Sequence, residues 1–149
     1  MTPKIIVCED DFDVAAELKA LSADNHEIGA VVSFTGLVRD MASEPITSMT
    51  LEHYPPMTIS ELERITADAT ERWPLNAITV IHRYGELFPG DQIVLVATAS
   101  AHREAALESA AYIMDFLKSN APFWKKEKTS DSENWVEAKD KDDDALKKW

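Results

Sequence analysis

The sequence predicts an α+β domain with a largely antiparallel sheet and two long helices, and three features carry that prediction. The apolar, β-branched segments AITVIHRYGEL (77–87) and QIVLVATAS (92–100) flank Phe88-Pro89-Gly90-Asp91, which has Pro and Gly where a type II turn needs them. They should pair as an antiparallel hairpin. From Met57 to Trp73 the apolar residues Ile59, Leu62, Ile65, Ala69 and Trp73 fall three or four apart, the spacing of an amphipathic helix. HREAALESAAYIMDFLKSN (102–120) is a second such helix, with Leu107, Ala110, Met114 and Leu117 on one face.

IIVCED (5–10) reads as a short strand, and DVAAELKALS (13–22) as a helix to which Asp11 or Asp13 supplies the N-cap. GAVVSFTGLVRD (29–40) is apolar, β-branched and aromatic, a strand in which Gly36 marks a bulge or a close approach. MASEPIT (41–47) is loop-like, and SMTLEHYP (48–55) alternates as a half-buried strand that Pro55-Pro56 ends. Pro74 stops the first long helix. Ser100 is placed to N-cap the second, which ends before Pro122. NWVEAK (134–139) is a last short strand, and residues 140–149 form a charged tail, helical or frayed. The order β-α-β-β-α-β-β-α-β has no repeat and no linker to split it, so residues 1–149 are expected to be one domain.

Composition narrows the function. Hydrophobic residues make up 45% and charged residues 28%, which are globular values. No apolar run is long enough to cross a bilayer and no leader opens the chain, so a soluble, cytoplasmic protein is expected. The single Cys8 excludes an internal disulfide and fits a reducing compartment. A net charge of −12 argues against duplex nucleic acid, whose binding rests on neutralising phosphates. The charge is uneven: residues 1–100 hold 6 basic and 16 acidic side chains, residues 101–149 hold 9 and 11. An anion site therefore belongs in the last third, helped by isolated arginines from upstream.

Within that third, KSNAPFWKKEKTS (118–130) gathers Lys118, Lys125, Lys126 and Lys128 around Pro122, Phe123 and Trp124. Lys118 lies near a helix C-terminus, where a cation is welcome on electrostatic grounds alone. Pro122 forces a new direction that could bring Lys125 back towards Lys118. A lysine held near other cations, or partly desolvated, can act as a base or nucleophile, although a lysine run is more often a solvated surface. His102 and Arg103 open the same helix, where cations face the positive end of the dipole at a cost of about 0.3–1 kcal/mol. Such a placement suits an anion received jointly by these side chains and the free amides. Arg39 ends an apolar strand and can reach the sheet edge. His53 and His82 are explained by strand periodicity. No metal-ligand spacing, glycine-rich phosphate loop or nucleophile elbow is present, so no metal or cofactor is expected.

Several of these segments occur together in a known pattern. SFTGLVRD (33–40), LEHYPPM (51–57), RWPL (72–75), VIHRYGELFPGD (80–91), SAHREAA (100–106), MDFLKSNAPFWKKE (114–127) and WVEAK (135–139) resemble, in order, the large catalytic subunit of molybdopterin synthase. The resemblance runs from about residue 29 onward. It implies an α+β hammerhead-type fold, a homodimer, and a small ubiquitin-like sulfur carrier bound to each subunit to give a heterotetramer. The carrier's C-terminal Gly-Gly thiocarboxylate would enter a pocket, and two sulfurs would pass successively to cyclic pyranopterin monophosphate to form the molybdopterin dithiolene.

By the same resemblance Lys118 and Lys125 match the two catalytic lysines, with Lys125 also binding the phosphate or the thiocarboxylate. Arg39, His102 and Arg103 match the substrate-anion pocket, the last two reaching it from the other subunit. Lys139 stands where the family commonly has arginine, which keeps the charge and loses the bidentate fork. Lys118 is open to three roles: proton transfer, stabilising an oxyanion on the carrier carbonyl, or a transient covalent link. Two rival readings remain distinct from this one. They are a dimeric module that binds an anionic tail or small phosphate without chemistry, and an RNA-contacting patch built on the lysines and Trp124.

Overall fold

The chain runs through β1 (Lys4–Cys8), α1 (Val14–Leu21), β2 (Ala30–Leu37), β3 (Ile46–His53), α2 (Pro55–Arg72), β4 (Leu75–Arg83), β5 (Gly85–Leu87), β6 (Gln92–Ser100), α3 (Arg103–Asn120), β7 (Phe123–Thr129), β8 (Glu133–Val136) and α4 (Asp140–Ala145), closing in a 3-10 turn at Leu146–Lys148. The computed structural model describes residues 1–40, 45–129, 132–136 and 140–149. Its strands form two four-stranded sheets, one in the order β1-β4-β6-β2 and the other β5-β3-β7-β8. Among the described residues only β1 and β4 pair in parallel; the other pairings are antiparallel.

The predicted hairpin forms as β4 against β6, with Ile81 opposite Leu95. Its turn has Gly90 at φ +92 and a bond from the Asp91 amide to the Phe88 carbonyl at 2.9 Å, as a type II turn requires. The segment 77–87 is not one strand, however. Gly85, at φ +88, breaks it after Arg83, and the residues beyond pair with β3 in the other sheet. The sequence conceals this because only Tyr84 separates the two strands, and Leu87 is buried in the second sheet as most of β4 is in the first.

Helices α2 and α3 cover the first sheet. Leu62, Ile65 and Ala69 of α2 meet Ile78 and Val80 of β4, Val96 of β6, and Ile113 and Leu117 of α3 in the main core. Each such large side chain contributes about 1.5–3 kcal/mol on full burial. Small residues, Ala106 and Ala110, let α3 lie close to the sheet, and Thr98 donates to the Ala106 carbonyl at 2.7 Å. Leu107, expected on the buried face, points outward at 54% exposure. One step of 100° from Ala106 takes it off the core stripe. A smaller core of Val38, Met49, Leu51 and Leu87 underlies the second sheet.

The ends of the elements show which residue types decided them. Asp13, not Asp11, caps α1 by accepting from the Ala16 amide at 3.1 Å. Pro55 and Pro56 end β3 and also open α2, where their missing N–H groups cost nothing. Gly36 fulfils both expectations: the β2–β6 register shifts beside it, and an added Cβ would lie 2.8 Å from Val94 Cγ1. Strand β3 begins at Ile46, earlier than its alternation suggests, with its first amide bonded to the Asp40 carboxylate at 3.0 Å. The tail is helical and fastened. Trp149 donates to Asp115 at 2.7 Å, packs edge-on against Trp73 and Tyr112, and its carbonyl accepts from Arg72 at 2.7 Å.

Candidate active site

The corner after α3 determines the site. Leu117 is buried and the helix closes with the Ala121 amide bonded to the Leu117 carbonyl at 3.3 Å. Pro122 then reverses the chain in a tight turn, the Phe123 amide reaching the Ala121 carbonyl at 2.8 Å. Beyond the turn lies a strand, β7, where the sequence suggests only a corner. It enters the second sheet beside β3, pairing Lys125 with Leu51.

Strand alternation sorts the corner's lysines. Phe123, Lys125 and Glu127 face a cleft of about 560 Å³, whereas Trp124, Lys126 and Lys128 occupy the opposite face. Lys126 is engaged there, 3.3 Å from Glu133 and 5.5 Å from the Trp135 ring centroid. Lys118, on the last turn of α3, lines the same cleft as Lys125. Arg39 joins them from just beyond β2, where Val38 is clipped to the 88–91 turn by bonds of 2.9 and 2.8 Å to Asp91 and Gly90. Met49, Leu51, Met114 and Leu117 form the apolar floor, with His82 among them. Among the described residues, Glu127 and Asp142 are the acidic members, and Asp142 is tethered through its carbonyl to the Ser119 hydroxyl at 3.0 Å.

His82 is 5% exposed and its ring lies 3.7 Å from that of Phe123, within 15° of parallel. Burial holds its pKa down at about 4, and the nearby Lys125, His53 and Lys118 add to the effect, against the hydrogen bond to the Arg83 carbonyl. The imidazole is therefore neutral. Because a carbonyl only accepts, the 2.8 Å contact assigns the proton to Nδ1 and leaves Nε2 as the acceptor. Sequence reasoning misses this residue, since an apolar strand explains a histidine as filling; the lysines that make it part of a site come from distant segments.

His102 and Arg103 lie elsewhere. His102 is the N-cap of α3 and Arg103 its first residue, both exposed. Ser100 is not the cap: it sits at the end of β6 and donates to the Pro74 carbonyl at 2.8 Å. The rise of α3 separates Arg103 from Lys118 by about 22 Å, so within one chain they do not share a cleft. His102 makes no side-chain cap bond to the amides of α3. Lys139 lies outside the described residues, as do positions 41–44 of the predicted loop. A second groove, of about 510 Å³, runs between Pro3 and α2; its described lining includes Glu63 and Glu71 and no Lys or Arg, which is wrong for an anion.

The fold and cleft together define an α+β protein with an apolar-floored cleft beside two lysines, one supplied by a helix end and one by a strand start. Residues 7–120 match the family model described as MoaE protein. The chain is 52% identical over 151 residues to the molybdopterin synthase catalytic subunit of Mesorhizobium japonicum, covering 100% of this chain and 94% of that relative. Among solved structures it resembles the molybdopterin biosynthesis MoaE protein from Burkholderia ambifaria, with a TM-score of 0.86 and 50% identity over 99% of this chain and 97% of the other. Molybdopterin synthase from Staphylococcus aureus matches with a TM-score of 0.81 and 30% identity, over 90% and 96% of the two chains. The chain belongs to the MoaE protein family.

Proposed function

We propose that this protein is the catalytic subunit of a molybdopterin synthase. It acts as a sulfurtransferase, passing sulfur from the C-terminal thiocarboxylate of a small ubiquitin-like carrier to cyclic pyranopterin monophosphate, and forms the dithiolene in two successive additions. The observation that carries this reading is the convergence of Lys118 and Lys125 on one cleft of about 560 Å³. That volume is within the roughly 300–1,000 Å³ usual for small-molecule sites.

Electrostatics explain why an acidic protein needs this corner. Donor and acceptor are both anions, and two unit charges 4 Å apart repel by about 4 kcal/mol at an effective dielectric of 20. Each cation at a similar distance returns a comparable amount. In this reading Lys125 and Arg39 hold the phosphate and the incoming tail. Lys118 serves the developing oxyanion on the carrier carbonyl or the proton transfer that accompanies it. The protein need not carry sulfur itself, which agrees with the lack of cysteine among the described residues lining the cleft.

His102, Arg103 and Lys139 complete the proposed anion pocket. Because His102 and Arg103 stand at the far end of α3 from Lys118, their part requires a second copy of the chain, giving a homodimer with one carrier on each subunit. Residues 1–149 act as one domain, in the cytoplasm; the lone Cys8 supports a reducing setting. No described helix is long and apolar enough to cross a membrane.

The test is product formation from purified protein, thiocarboxylated carrier and cyclic pyranopterin monophosphate, read as the fluorescent oxidised pterin. Wild type should form product, and Lys118→Ala should abolish it while leaving carrier binding largely intact. Carrier binding without product from the wild type would leave a binding module and sink the enzyme reading. Product at the normal rate from Lys118→Ala would overturn the lysine assignment.

A further inference from the structure

Lys118 and Lys125 reach the cleft from elements anchored to different sheets. Lys118 rides on α3, which packs against the first sheet; Lys125 belongs to β7 in the second. Strands β4 and β7 are not neighbours in either sheet, so no ladder fixes one against the other. The Ala121-Pro122 corner joins α3 to β7, and side chains complete the fit of β7 against the first sheet; the ring contact that links β4 to β7 is that of His82 on Phe123. We propose that His82 is a positioning residue of the cleft: stacked on Phe123, its ring holds the start of β7 against β4 and fixes how Lys125 faces Lys118.

The details suit that task. Phe123 is the first residue of β7 and lies two before Lys125, on the same face, so a shift of one carries the other with it. Its ring stacks on His82 at 3.7 Å and on His53 at 5.7 Å, and His53 meets Tyr84 at 4.4 Å. The bond from Nδ1 of His82 to the Arg83 carbonyl locks the imidazole plane to the backbone of β4. Leucine would fill the volume without presenting a flat face, and phenylalanine has no N–H to lock its plane. Two lysines across the cleft also favour a ring that stays neutral.

The kinetic part of this inference rests on the sulfur-transfer reading, and the geometric part does not. Three variants test it: His82→Leu, Phe123→Leu and the double. Each single variant should raise KM for the pterin roughly tenfold and lower kcat by roughly 10–100-fold, as misplacement by about an ångström does. KM for the carrier should rise as well, because Lys125 also holds the incoming tail. A loss of folded enzyme would lower kcat with both KM values unmoved, and that result would overturn the proposal. Since both substitutions break one contact, the double should be no worse than the poorer single; losses that multiply would also overturn it. A crystal structure of His82→Leu supplies the independent arm, with Phe123 displaced relative to β4 as the expected result. If wild type makes no product, the sulfur-transfer reading falls and this displacement decides the positioning role; an unmoved Phe123 would refute it.

Discussion

Acid should weaken this protein through His82 before general carboxylate titration does. The perturbation is a drop in pH from 7.5 to 5.5. An unfolded histidine titrates near 6.5, whereas in the fold burial holds His82 at about 4, with Lys125, His53 and Lys118 opposing its charge from the neighbouring elements. Between those values the unfolded chain binds a proton that the native chain refuses, so stability falls as pH falls through the window. At about 1.4 kcal/mol per pKa unit the full swing is about 3 kcal/mol, complete only below pH 4. Between pH 7.5 and 5.5 the loss is about 1.3 kcal/mol. Urea unfolding at fixed protein concentration, run across that range for wild type and His82→Asn, isolates the effect. The variant cannot take up the proton, so the difference between the two proteins should shrink by about 1.3 kcal/mol towards pH 5.5. Parallel pH curves would refute the assignment of a buried neutral imidazole.

Three further outcomes are expected. Gly36→Ala brings a Cβ to 2.8 Å from Val94 Cγ1 at the bulge of β2, and should cost about 1–3 kcal/mol by overpacking, read as a lower Tm. Gly90→Ala meets nothing within 4 Å, yet should cost about 1–2 kcal/mol because φ is +92, which urea titration would show. Mixing His102→Ala with Lys118→Ala chains should restore part of the activity if the pocket is shared between subunits. Verified heterodimers without rescue would confine the site to one chain.

Much of the fold was legible where backbone chemistry speaks locally. The Pro89-Gly90 turn and the Gly36 bulge are each dictated by residues that few others can replace, and each is where the sequence indicates; the α1 cap falls on Asp13, one of the two aspartates the sequence offers. The α2 pattern is reliable because Leu62, Ile65 and Ala69 all face one core. The misses share a different cause. Strand β7 reads as FWKKEKT, with charges on both faces, because one face lines a cleft and the other meets solvent; period-two alternation of hydrophobicity is lost there. The β4–β5 break is hidden because the chain passes from one sheet to the other with only Tyr84 between the strands. Size alone would turn Leu107 inward, when the alanines nearby on α3 are what fit against the sheet.

The candidate site was legible to the same degree and for the same reason. Lys118, Pro122 and Lys125 are close in sequence, so a proline that cannot continue a helix is enough to suggest that the two lysines return to one another. Arg39 needed the resemblance to be more than a surface charge, and in the structure it stands beside the cleft because Val38 is clipped to the 88–91 turn. His82 could not be found from sequence at all. Its significance depends on a ring 41 positions later, and no pattern of type or spacing links the two. What looks like a core histidine and a helix-terminating aromatic corner are two halves of one contact. Through it, the first sheet sets the position of a lysine that belongs to the second.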